Sequence, residues 1–188
     1  MFGLNNEEPR VTSINTISAI ILKELRLERK MHQALLADRV NKTASAWSKI
    51  ENGKASIDVA LLYQCAVAMG LAAMDILSII DRHAQFLSSS GFQILFNSDP
   101  ETDDLREIAD EYYKSPGHKL LNKLFSNFQG VSVQGGPSRN SEYKLVCLDV
   151  FRCAVEPEFR KQMNDETLEI RPNVPHVFGS AMASSIFN

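Results

Sequence analysis

The sequence predicts a mainly α-helical protein, with a compact unit of five helices near the N-terminus and a second, mostly helical part after it. Apolar residues recur at three- and four-residue spacing through most of residues 13–81, the period of helices that bury one face. Capping and stop residues interrupt that pattern with turns so short that successive helices must pack against each other. A composition of 44% hydrophobic and 23% charged residues is that of a globular chain, and it excludes collagen, a coiled-coil rod or global disorder.

Each element has its own grounds. Residues 1–12 are polar, contain Pro9 and show no period, so they read as a loose tail. A first helix spans Ser13 to Lys30, with Ile14, Ile17, Ile21, Leu22 and Leu25 as its apolar stripe. A second, Gln33 to Arg39, buries Leu36 and Ala37 and breaks at Val40-Asn41-Lys42, where Asn41 can turn left-handed at modest cost. Thr43 caps a third helix, Ala44 to Glu51, which Gly53 ends. Asp58 or Ser56 caps a fourth that Gly70 stops after Met69, and a fifth covers Ala72 to Asp81. Val59 to Ile80 is apolar enough to suggest a membrane span, but Gln64, Gly70, Asp75 and Ser78 interrupt it. Two buried helices joined by a turn are the better reading, and no membrane partner is expected. The N-terminus lacks a signal-peptide pattern, and Cys65, Cys147 and Cys153 form neither an even set nor a C-x-x-C. Reduced thiols in a cytoplasmic protein are expected.

Charge is unevenly placed. The whole chain carries 20 Lys and Arg against 23 Asp and Glu, a net −3 that alone argues against a nucleic-acid partner. Residues 22–54, however, hold eight basic and four acidic side chains, while residues 82–188 hold 11 basic and 14 acidic ones. A basic module inside an acidic chain points towards a polyanion.

Residues 22–77 then become specific. Leu25, Arg29, Gln33, Leu36, Ala37, Val40, Ser48, Ile50, Glu51, Gly53, Ala66, Gly70 and Asp75 fall in one ungapped register, with Ile50-Glu51-x-Gly53 the most telling part. In this register the segment resembles the helix-turn-helix of the Cro/CI-type, or XRE, regulators, which implies a five-helix lambda-repressor-like fold for residues 13–82. His32, Lys42 and Ala72 depart from the usual capping and turn residues without touching a core position. Trp47 replaces a medium aliphatic residue and is read as core, not as a base-stacking side chain.

The resemblance implies double-stranded DNA as partner, because one helix fits the major groove with its first residues against base edges. It makes Ala44, Ser45 and Ser48 the base-facing positions, with Thr43 beside them and Lys49 reaching a guanine or a phosphate. Ala44 can offer a methyl contact to thymine and Ser45 a hydroxyl. Gln33, at the start of the second helix, can hold a phosphate together with nearby N–H groups. Lys42, Asn52 and Lys54 flank the reader as backbone contacts. Lys23, Arg26, Arg29 and Lys30 are read as solubilising the first helix, and the family favours an internal pair between Arg29 and Glu51.

The second half is less specific. Ser88-Ser89-Ser90-Gly91 reads as linker, within a boundary segment 83–100. Glu101 to Tyr113 has Leu105, Ile108, Ala109 and Tyr112 at helical spacing, and its acids Asp103, Asp104, Glu107 and Asp110 read as a solvated face, not a metal site. Lys119 to Phe128 forms another apolar stripe, and Gln134 to Ser138 a loop. Tyr143 to Ala154 fits a helix, the preferred reading, or a buried strand. Pro157 to Met163 is a further turn of helix, and Arg171 to Asn188 a loose tail or an arm around a partner. His83, His118 and His176 are scattered, and no H-E-x-x-H, phosphate-binding glycine loop or autocleavage pair is present, so no enzyme, metal or cofactor is expected.

Together these readings predict a bacterial or phage-encoded, sequence-specific DNA-binding transcription regulator, a repressor before an activator, working as a homodimer on a palindromic operator. Residues 101–188 would supply dimerisation or sensing. Two other readings stand beside it: an antitoxin-like or adaptor protein that binds a protein partner, and a regulator sensing a small molecule or peptide through its C-terminal domain.

Overall fold

In the computed structural model, which describes residues 9–96, 102–124 and 147–166, the N-terminal helices begin where the sequence supplies a cap. Ser13 Oγ accepts from Thr16 N at 3.1 Å to start α1 (Ile14–Glu28). α2 (Gln33–Arg39) follows His32 without a side-chain cap. Thr43 Oγ1 accepts from Ala46 N at 3.1 Å to start α3 (Ala44–Glu51). Asp58 Oδ1 accepts from Leu61 N at 2.7 Å at the head of α4 (Val59–Met69), and Gly70 ends it with φ 67°. α5 (Ala73–Ser89) starts behind Ala72, again uncapped.

The apolar stripe of α1 is the centre of the core: Ile17, Ile21, Leu22 and Leu25 are fully buried, and Ile14 partly so. Leu36 and Ala37 of α2, Trp47 and Ile50 of α3, and Leu61, Leu62, Cys65 and Met69 of α4 close around it. α4 and α5 together are apolar enough to span a bilayer, but they meet at 114°, and among the described residues no single helix is long and apolar enough to cross.

The structure corrects the reading of three stretches. α5 runs to Ser89, eight residues beyond Asp81, because Ile76, Ile79, Ile80, His83, Ala84 and Leu87 form one continuous buried stripe. His83 looks like a break in that stripe, yet it is wholly buried. Beyond Gly91, whose φ is 91°, the stretch read as linker forms β2 (Phe92–Leu95). The strand pairs in parallel with β1 (Arg10–Ser13), where a loose tail was expected, in the register Arg10↔Phe92 to Ser13↔Leu95. Both strands are too short for an alternation to show. The crossover between them is the whole five-helix unit.

α6 (Asp104–Lys114) buries Leu105, Ile108, Ala109 and Tyr112, as its spacing predicts, and packs on β1, α1 and α8 (Asp149–Val155). Its acids are not one solvated face. Glu107 and Asp110 behave as expected and are exposed to solvent or nearly so, but Asp103 is 3% exposed and Asp104 Oδ2 accepts from Val11 N at 2.6 Å. Ser115 ends α6 in extended backbone, and α7 (Pro116–Leu124) starts at the proline that follows. α8 resolves Asp149 to Val155 as helix, and α9 (Pro157–Met163) has the expected limits. Residues 1–8, the end of the 119–128 stripe, the 134–138 loop, Tyr143 to Val146 and the 171–188 segment lie outside the described residues. Val150, Phe151, Cys153, Phe159 and Met163 join the same apolar cluster as the N-terminal helices.

Candidate nucleic-acid interface

The site is two helices and the reversal between them. After α2 the chain turns over buried Val40; Asn41 adopts φ 53°, and Lys42 N donates to Ala37 O at 2.9 Å. Thr43 then caps α3, whose phase turns Trp47, Ile50 and Glu51 inwards. The opposite face carries Ala44, Ser45 and Lys49, all exposed, and half-buried Ser48. Lys42, Thr43, Asn52 and Lys54 are exposed on the segments that enter and leave the helix. The Thr43 hydroxyl is engaged in capping, and Asn52 Nδ2 lies 3.5 Å from Ser48 Oγ.

Gln33 stands apart from this surface. Its side chain is half-buried, and Nε2 donates inwards to Glu51 Oε2 at 3.0 Å. Glu51 is 4% exposed and accepts from three helices: Arg26 Nη2 of α1 at 3.0 Å, Gln33 of α2, and Trp47 Nε1 of α3 at 2.7 Å. Arg26 Nε reaches the other carboxylate oxygen at 2.5 Å, completing a two-pronged pair, and Nη1 donates to Met31 O at 2.8 Å. A buried carboxylate is tolerated here because a guanidinium and two neutral donors satisfy it. Trp47 is core, as read, with its one polar atom satisfied.

The partner of Glu51 is Arg26, not the Arg29 that the family resemblance favours. Arg29, expected to pair with Glu51, is exposed at the C-cap of α1, whereas Arg26 follows Leu22 and Leu25 on the buried side. The signal was present: a charge at i+4 from Leu22 lies on the apolar stripe, and such a charge needs an internal partner. Lys23 is not merely solubilising either. Its Nζ sits 3.3 Å from the centre of the Tyr113 ring of α6, and burial lowers its pKa. The three cysteines are free, with thiols pushed up to about 12 by burial. Among the described residues no group of three His, Cys, Asp or Glu side chains is placed to hold a metal ion.

A short helix, a tight reversal and a second helix with a polar outer face, locked to α1 by a buried ion pair, define a DNA-binding helix-turn-helix. Residues 22–75 match the family model described as Helix-turn-helix, so this segment, and not the whole chain, carries a module of the kind found in XRE-type regulators. No curated protein and no solved structure matches the chain.

Proposed function

We propose that the protein is a sequence-specific transcription regulator that binds a palindromic operator as a homodimer in the cytoplasm. The observation that carries this reading is the outer face of α3, where Ala44, Ser45, Ser48 and Lys49 stand clear of a buried inner face inside a locally basic segment. Ala44 and Ser45 read base edges by methyl and hydroxyl contacts, while Lys42, Lys49 and Lys54 neutralise phosphates. Gln33 supports this surface through Glu51 and is proposed to leave only its backbone to a phosphate. Repression is the simpler outcome, because occupancy alone blocks a promoter.

A single reading helix covers too few base pairs for tight specificity, and two-fold partners on half-sites about 34 Å apart solve that. Support for self-association comes from α4, which exposes Val59, Tyr63 and Val67 at successive four-residue steps. Residues 59–74 contain no Asp, Glu, Lys or Arg, so facing a second copy brings no like charges together, and phosphate gains nothing there.

The test is binding of the full chain to fragments of its own upstream region, with footprinting and a salt series. Binding should fall steeply with salt, and Lys49→Ala should weaken it while lowering the log–log slope by about one if Lys49 meets a phosphate. No protected site at low salt would refute the reading. A stoichiometric protein partner, with DNA affinity indifferent to Lys49→Ala, would favour an adaptor, for which the short side chains of Ala44 and Ser45 leave room.

A further inference from the structure

We propose that Thr16, Asp103 and Arg106 form a clamp by which α6, outside the helix-turn-helix, positions the C-terminal end of the recognition helix. The inference rests on the regulator reading for its consequence on DNA, and on geometry alone for the clamp itself. α3 ends in the turn Asn52-Gly53-Lys54, closed by Gly53 N to Ile50 O at 2.9 Å and Lys54 N to Lys49 O at 2.8 Å. Gly53 has φ 65°, and the place where a Cβ would sit lies 3.2 Å from Thr16 Oγ1 and 3.3 Å from Arg106 Nε. The turn is therefore pressed against a side chain of α1 and one of α6.

Those two side chains are themselves held. Thr16 Oγ1 donates to Asp103 Oδ2 at 2.6 Å, and Arg106 Nη2 donates to Thr16 Oγ1 at 3.3 Å. Asp103 also accepts from Thr12 Oγ1 at 2.9 Å and caps Arg106 N at 3.0 Å, with the Arg106 guanidinium 3.6 Å away. Arg106 Nε is buried without a hydrogen-bond partner. A long side chain with an unmatched donor would relax into water if its packing allowed, so its position against Gly53 is imposed by its neighbours. Asp103 is the anchor: its carboxylate joins β1, α1 and α6 behind the turn that sets where α3 ends.

The experiment compares the full chain with Arg106→Gln and Thr16→Val. Hydrogen exchange on the free protein reads the amides of Gly53 and Lys54 against those of α4, and competition binding reads operator against random-sequence DNA. In both variants the two turn amides should lose about tenfold or more of their protection while α4 is unchanged. Operator affinity should fall about tenfold with random-DNA affinity and salt slope preserved, since position and not charge has been altered. Unchanged turn protection overturns the clamp, and so does a loss spread evenly over all amides, which would mark a general stability role. Equal losses on both DNAs with a smaller salt slope would make Arg106 a phosphate contact and overturn its role as a positioning residue. If Arg106→Gln does not fold, Thr16→Val decides by the same readings. If the wild type binds no DNA, the regulator reading fails, and the exchange data still decide the clamp.

Discussion

Glu51 is the residue on which the placement of α3 depends, since its carboxylate ties α1, α2 and α3 together while buried. Removing one partner of such a pair leaves a desolvated charge unmatched. Arg26→Leu should therefore lower unfolding free energy by about 3–5 kcal/mol in a denaturant titration, and Arg26→Leu with Glu51→Leu should recover part of that loss. A loss under about 1 kcal/mol would mean that Gln33 and Trp47 alone satisfy the carboxylate. The Ile50-Glu51-x-Gly53 run marked Glu51 in the sequence, but its partner needed the helical phase of α1. Arg29, three residues beyond Arg26, stands at the C-cap where α1 has ended, and is exposed, while Arg26 is still on the buried side of the helix.

At the scale of elements, two glycines separate backbone strain from close packing. Gly70 and Gly53 both close helices with positive φ, 67° and 65°, but only Gly53 has atoms where a Cβ would go. Gly70→Ala should cost about 1 kcal/mol, the penalty for a side chain in the left-handed region. Gly53→Ala adds a squeeze on Thr16 and Arg106 and should be clearly worse in thermal melts. Equal losses would mean that the neighbours yield freely. The limits of α2, α3, α4 and α9 were legible because caps, Asn41, Gly70 and Pro157 are local signals. The end of α5 was not, because its period continues through a histidine.

That histidine also acts at the scale of the whole molecule. His83 joins α5 to α8: Nδ1 lies 2.8 Å from Ile79 O, Nε2 is 3.5 Å from Leu148 N, and the ring rests on Phe151 at 4.6 Å. Burial first, and Arg82 in addition, lower its pKa to about 4, against a gain from the Ile79 carbonyl. The unfolded ring takes up a proton near 6.5 and the folded one near 4, so His83 costs stability as pH falls through that window. Asp149 of α8 opposes it. Burial raises its pKa to about 7, so the folded state keeps a proton that the unfolded state releases, and stability is lost as pH rises towards 7. The two slopes offset each other between pH 4 and 6.5. In Asp149→Asn, stability should rise with pH more steeply than in the wild type across that window, by up to about 1.4 kcal/mol per unit. Matching slopes in urea titrations across those pH values would contradict this.

Local information was enough for the helix-turn-helix, since caps, a left-handed Asn and an apolar period each act within a few residues, and residues 22–75 carry them in one register. The local basic excess within a chain of net charge −3 is equally a property of order along the chain. Contacts distant in sequence were decided by packing. Arg26 and not Arg29 reaches Glu51, β1 finds β2 across five helices, and Asp103 sits behind the turn of Gly53. Such pairings have no period to reveal them. A buried charge or an unpaired strand must find a partner, but which partner depends on where the helices come to rest against each other.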